Sequence, residues 1–504
     1  MKKKPELIIG IVAKIGTDLE SINEVFSEEL IEYGYAVIPI KVTESLKTEP
    51  VRSLVGTKVI SSPREDRYST SMDACNKLRE MCENDVMSKI AITQISSIRG
   101  EVGKKDESAA YLIRQLKRKE EVDCLRNVYG DRFILVSCYS PRSTRCSFLA
   151  NDIGEGHSDN NPNKWREKAE HLIERDEDEA EVSDVDAALS GQKVAEVFPM
   201  ADVIIDTSTR QKTKDTISNF LKVFFGNPSI APKPDEYGSY MASSAALRSS
   251  DLSRQVGAAI FTENLEIIAL GANEVPKFQG GTYLEGEEID GRDAAIGKDA
   301  NHEIKIRMVR DAISKISSFL KVEKSDAEIN SIIKQDLFSE GSKLKKLMIL
   351  DLTEFGRAVH AEMNAITDAA RLGRSTKNST LYCTTFPCHN CAKHIVASGI
   401  TRVVYLQPYP KSQAERLYPD SIQIDPDGSL QGKVLFEIHN GIGPNLYKRV
   451  FSKSKKKDKK TGKMLPWNKL NAVPCVNATN VGYRDNEKVM IALLNGSLEK
   501  AKAL

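Results

Sequence analysis

The sequence predicts an α/β protein in two halves, and three features of the 504-residue chain carry that expectation. Short apolar runs alternate with charged amphipathic stretches, a turn-rich segment interrupts them near the middle, and the pattern then restarts. Strands alternating with helical patterns favour a parallel sheet. In the first half, Leu7 to Val12, Val37 to Ile40, Arg132 to Ser137 and Val203 to Asp206 read as buried strands. Ala109 to Val128 has helical spacing and many charges, and residues 160–184 read as a charged surface helix and loop. Gly226 to Pro234 is rich in proline and turn residues and marks the boundary. The expected organisation is a first domain over 1–226, a linker over 227–236 and a second domain over 237–504. Within the second, a helix is expected around Tyr240 to Ser253. Strands follow at Gly257 to Thr262, Ile267 to Leu270, Thr380 to Thr384 and Val403 to Leu406, with a polar, helix-rich insertion at about 283–354.

Composition narrows the function classes. Hydrophobic residues make up 40% and charged residues 28%, the mixture of an ordinary soluble globular protein. A net charge of +1 supplies no overall field for nucleic acid or an anionic membrane, although Lys453 to Lys463 is locally lysine-dense. Nine cysteines are too sparse for a disulfide framework, which implies a reduced, cytoplasmic setting. The start, Lys2-Lys3-Lys4 before an apolar run, imitates a secretory signal, but Glu6 and Lys14 interrupt it. No run approaches the roughly 18 apolar residues of a membrane helix, so no membrane partner is expected.

The decisive chemistry lies between Val359 and Cys391: His360-Ala361-Glu362, then Pro387-Cys388-His389-Asn390-Cys391. This is H-x-E followed by P-C-x-x-C, the signature of zinc nucleobase deaminases. One imidazole and two thiolates fill three corners of a tetrahedral Zn²⁺ and leave the fourth for water, whose pKa the metal lowers. Glu362 is then available to move protons. Cys388 and Cys391, three apart, share a face of a helix's first turn, where the dipole favours thiolates. His360 and Glu362 are two apart and converge only at a helix entrance. His389, His394 and His439 are candidate extra ligands, against the plainer reading of surface or packing residues. The other cysteines read as small core residues.

On these motifs the chain resembles the deoxycytidylate deaminase family. The resemblance is carried by Ser253-Arg-Gln-Val-Gly-Ala-Ala-Ile260, Gly271-Ala-Asn-Glu-Val-Pro276, His360-Ala-Glu-Met-Asn-Ala-Ile366 and Phe386-Pro-Cys-His-Asn-Cys-Ala-Lys393. More narrowly, the whole chain is similar to two-domain bacterial anti-phage dCTP deaminases. That implies an N-terminal parallel-sheet, P-loop-kinase-like domain and a C-terminal cytidine-deaminase-like αβα sandwich. It further implies one Zn²⁺ per chain, dCTP or dCMP as substrate, depletion of dCTP during phage replication, and a homo-oligomer, often a hexamer. A regulatory nucleotide or an inhibitory small RNA is a possible partner of the N-terminal half.

The resemblance also implies substrate contacts. Asn273 matches an asparagine that bonds the sugar, and the reading of an amide satisfying its own turn competes with it. Ala361, between the two motif residues, is placed against the substrate. Arg248, Arg254, Lys277 and Lys411 are candidate phosphate cations, each weighed against an ordinary surface charge. Asp290 to Asp293 and His302, in the insertion, are read as a regulatory site or a charged surface. In the first half, Gly10, Lys14, Gly16 and Thr17 follow a strand and precede a helix, the place for a phosphate-binding loop, but the Gly-Lys-Ser/Thr ending is missing. Arg142 and Arg145 resemble lid arginines. Two other readings stay open: a deaminase of tRNA or single-stranded DNA that uses Lys453 to Lys463, and a zinc-stabilised scaffold without catalysis.

Overall fold

The computed structural model describes the chain except residues 1–3, 57–58, 103–107, 160, 179–192, 323, 338–346, 409–411, 425–431, 453–455, 477–481 and 504. The described residues form two compact units.

The first unit is built on strands β1 (Leu7–Ala13), β2 (Tyr35–Ile40), β3 (Ser108–Ile113), β4 (Phe133–Tyr139) and β5 (Val203–Asp206). They are parallel, in the order β2-β3-β1-β4-β5. Successive side chains feed opposite faces. Ile8 and Val12 of β1 join one buried cluster, and Leu7, Ile9 and Ile11 join the other. A parallel sheet covered on both sides needs such continuously apolar strands. This corrects the helical reading of Ala109 to Val128, because Ser108–Ile113 is buried throughout and forms a strand. The charges begin after it, and only Lys119–Tyr129 is helical. The charged stretch after residue 160 contains the helix Arg166–Asp178, which buries Ala169, Leu172 and Ile173.

The second unit covers Tyr237–His439. Its strands are β6 (Gly257–Phe261), β7 (Ile267–Ala272), β8 (Thr380–Thr385), β9 (Arg402–Gln407), β10 (Ile422–Ile424) and β11 (Val434–Ile438), in the order β10-β11-β9-β8-β6-β7. Strand β6 runs antiparallel to β7 and β8, and the others are parallel. The helix expected around Tyr240 to Ser253 spans Pro234–Ala246, so it starts inside the predicted linker. Backbone packs on backbone there: a Cβ on Gly257 would lie 2.0 Å from the Ala242 carbonyl oxygen. The insertion has its own small core, in which Val309 of the helix Ala300–Phe319 meets Ile329 and Ile333.

The chain does not stay in the second unit, and this corrects the expected domain at 237–504. From Asn440 onward it belongs to the first unit. Strand β12 (Gly441–Ile442) pairs antiparallel with β5. The helix Tyr483–Ala503 then locks on through Glu487, which takes Arg99 Nη1 at 2.6 Å, while Arg99 Nε donates to Glu6 at 3.0 Å. A two-residue strand is too short to leave a periodic signal in the sequence.

Candidate metal centre

His360 is the N-cap of the helix Ala361–Arg371, with extended backbone (φ −62°, ψ 150°). Cys388 is the N-cap of the helix His389–Ala397 (φ −67°, ψ 166°), and Cys391 sits in its first turn. Two helix entrances thus meet. His360 Nδ1 lies 3.4 Å from Cys388 Sγ and 3.3 Å from Cys391 Sγ. Nitrogen and sulfur ligands on neighbouring corners of a zinc tetrahedron are about 3.5 Å apart, given ordinary Zn–N and Zn–S lengths. The three ligand atoms all lie within 4.8 Å of one another, and among the described residues they are the group able to hold a metal ion. Glu362 is not a member of that group. Its Oε2 accepts from the Cys391 thiol at 3.4 Å, and the residue is 4% exposed.

Protons in the cluster are unevenly held. The Cys388 thiol is drawn down to about 4, first by its hydrogen bond with Cys391 and then by the His360 imidazole. The same contact with Cys388 pushes Cys391 up, and the hydrogen bond from Cys388 raises His360. Burial, and next the Cys388 charge, raise the Glu362 carboxyl above the usual carboxylate range. A carboxyl so placed binds and releases a proton nearer neutrality than an exposed one.

The sheet fixes these entrances. A Cβ on Gly271 would lie 2.1 Å from the Ala361 carbonyl oxygen, so β7 touches the first turn of the His360 helix directly. Asn364, one turn on, accepts from the Ala272 amide and from Arg248 Nη2, each at 3.2 Å. The Val359 amide donates to the Glu274 carbonyl at 3.1 Å, just before His360. On the other side, the Phe386 amide donates to the Gln407 carbonyl at 2.8 Å and Ser412 Oγ to the Pro387 carbonyl at 2.9 Å, which sets the entry to Cys388. Asn364 was not singled out from the sequence, although its place four residues after His360 marks the same helix face.

The predicted substrate contacts divide. Ala361 is buried at the first helical position beside the cluster. Asn273 follows β7 and is 8% exposed; its Oδ1 accepts from the Val256 amide at 2.6 Å and its Nδ2 donates to the Arg254 carbonyl at 2.9 Å. The amide therefore clamps the 254–256 segment. Arg248 is exposed and tied to Asn364, and Arg254 is exposed. Lys277 is engaged by Glu287 at 2.7 Å. Lys411 lies outside the described residues. Asp290 pairs with Arg292, and Asp293 with Arg357, so the insertion's charges are largely mutual. His394 and His302 are exposed, and His439 is buried against Ser239 Oγ at 3.0 Å.

The predicted phosphate loop is corrected by the structure. Gly10 lies within β1, where a Cβ would meet Leu116 at 2.6 Å, so its smallness serves packing. Gly16 has φ +83°, and a Cβ there would lie 2.6 Å from the Arg145 carbonyl oxygen. The helix that follows, Leu19–Ile31, is capped by the chain's own Asp18, which accepts from the Ser21 amide at 3.1 Å. A carboxylate already holds the end where a phosphate would bind. Lys14 is half-buried and Thr17 is buried. Arg145 is buried and donates to the Ile15 carbonyl at 3.2 Å, while Arg142 reaches Glu174 at 3.7 Å.

Residues 232–407 match the family described as the cytidine and deoxycytidylate deaminase zinc-binding region, which encloses all three ligands and Glu362. This segment is a deoxycytidylate-deaminase-type zinc-binding region. Within the deaminase unit, 55 residues are 49% identical to the deoxycytidylate deaminase of enterobacteria phage T2, covering 11% of this chain and 29% of the relative. A 51-residue stretch is 51% identical to the Saccharomyces cerevisiae deoxycytidylate deaminase, covering 10% of this chain and 16% of the relative. The matches thus span less than a third of these relatives. Among solved structures, the apo dCMP deaminase of cyanophage S-TIM5 is similar at 17% identity with a TM-score of 0.22, over 41% of this chain and 99% of that one. No helix among the described residues is long and apolar enough to cross a membrane.

Proposed function

We propose that the chain hydrolytically deaminates free deoxycytidine nucleotides to deoxyuridine nucleotides and ammonia. The observation that carries the reading is the buried Glu362 carboxyl 3.4 Å from Cys391, inside a His/Cys/Cys cluster of zinc dimensions. A purely structural site has no use for that carboxyl. Zinc held by His360, Cys388 and Cys391 supplies Lewis acidity, lowering the pKa of a water molecule toward neutrality. Glu362 takes a proton from the water and passes it to N3 of the cytosine. A C4–O bond forms, the C4–N4 bond breaks, and Glu362 delivers the second proton to the departing ammonia. His360 and the two thiolates stay fixed because their helix entrances are pinned by Gly271, Asn364 and Gln407.

The deoxycytidine class is supported by the relatives' substrate and by the Asn273 to Val256 clamp beside the His360 helix. Arg248, exposed and held by Asn364, is the described cation best placed for a phosphate. A role in draining dCTP during phage replication rests on the resemblance of the whole chain to anti-phage enzymes. The test is incubation of the full-length protein with dCTP, dCMP, CTP, single-stranded DNA and tRNA, with mass detection of products. Conversion of dCTP or dCMP well above the rest is expected. Preferential conversion of tRNA or single-stranded DNA would replace this reading with polymer editing.

A further inference from the structure

In the first unit the order β2-β3-β1-β4-β5 makes the chain reverse across the sheet beside β1. Open parallel sheets take ligands outside the carboxyl ends of their strands at such a point. The crevice here is walled by the segments that follow β1, β3 and β4. Its donors already hold an anion, and that anion belongs to the chain. Asp176, near the end of the helix Arg166–Asp178, accepts the Ile15 amide at 2.9 Å and Lys117 Nζ at 3.2 Å. Lys117, which follows β3, also donates to the Ala13 carbonyl at the end of β1, at 2.9 Å. Lys117 is 7% exposed and Asp176 4%. In the same turn, buried Thr17 has a hydroxyl with no hydrogen-bond partner among the described residues.

A buried ammonium and a backbone amide converging on one two-oxygen anion form a donor set that also suits a phosphate group. We propose that this crevice is a phosphate-group site in which Asp176 is an internal stand-in, displaced when the helix Arg166–Asp178 withdraws. That helix can move without opening the sheet. Its Ala169, Leu172 and Ile173 pack with Leu149, Ile153 and Trp165 in a cluster separate from the cores on the two sheet faces. The ligand is the phosphate group of a mononucleotide or a free phosphate.

The test uses full-length Asp176→Asn, which keeps the side-chain volume and removes the charge. Thermal unfolding is followed with inorganic phosphate, tripolyphosphate and ATP at millimolar concentration. Each effective anion is expected to raise the Tm of Asp176→Asn by about 2–4 °C while leaving the wild type nearly unmoved. Adding Lys117→Met should abolish the response. A larger shift with ATP than with tripolyphosphate assigns a nucleotide, and equal shifts assign the phosphate alone. No anion-dependent shift in Asp176→Asn, or a shift that survives Lys117→Met, overturns the proposal. Should Asp176→Asn prove insoluble, hydrogen exchange on the wild type decides. Tripolyphosphate should speed exchange in 166–178 and slow it at 13–18, and unchanged exchange in both overturns the proposal.

Discussion

In both units a strand runs into a helix whose entrance gathers polar groups, but the two entrances end in different states. In the second unit, β8 leads to Cys388, and the groups assembled there, His360, Cys388 and Cys391, are ligands turned toward one another with a proton-carrying carboxyl beside them. In the first unit, β1 leads to residues 14–17, and the donors are consumed by Asp18, Arg145 and Asp176. Local sequence sets which groups exist at a helix entrance. Distant sequence decides whether they remain available: Asp176 lies 161 residues from the amide it occupies.

The largest effect should come from the metal ligands. Cys388→Ala is expected to reduce zinc from about one per chain to near zero, and deamination with it. Full zinc content in that variant, measured by metal analysis of purified protein, would reassign the centre. Glu362→Ala separates holding from reacting: zinc and fold should persist while turnover falls about 10²–10⁴-fold. Near-normal turnover would mean that another group carries the proton.

Two glycines sharpen the contrast between the entrances. Gly271→Ala forces a methyl against the Ala361 carbonyl oxygen, and Gly16→Ala forces one against Arg145 at positive φ. Each should cost about 1–3 kcal/mol. Only Gly271→Ala should also lower zinc affinity, since only it moves the His360 helix. Equal zinc affinity in the two variants would show that β7 does not set the metal geometry.

The smallest effect concerns Glu236, a buried carboxyl that accepts the Ile442 amide at 3.1 Å and whose pKa is raised by burial. A carboxyl raised on folding favours the folded state when protonated, and that contribution is lost as pH rises through its folded pKa. Between about pH 4 and pH 7 the wild type should therefore lose stability relative to Glu236→Gln. Parallel Tm–pH curves for the two proteins would remove burial as the cause.

The metal centre was legible because its ligands come as two short motifs whose spacing is itself the geometry of a helix entrance. Most strands were legible as buried apolar runs. Ser108–Ile113 was misread because the charged segment after it extended an apparent helical period across the strand. Lys277 could not be excluded as a phosphate contact, because only the fold shows Glu287 holding it. Asp176 was hidden for the opposite reason. It stands in a run of acids and arginines where one buried carboxylate looks like its solvated neighbours. The return of the chain at Asn440 left no signal, since Gly441–Ile442 supplies only two residues of strand.

That return changes how the protein can be taken apart. The second unit is spliced into the first between Glu236 and Asn440, and both splice points share one hydrogen bond, Glu236 Oε1 to the Ile442 amide at 3.1 Å. A cut near Lys233 would leave β12 and the helix Tyr483–Ala503 attached to the wrong fragment, without the sheet they complete. Excision of 237–439 with a few-residue bridge is the cleaner dissection. During synthesis, the first unit's sheet must wait with an unfilled edge beside β5 until the ribosome has made the whole deaminase unit.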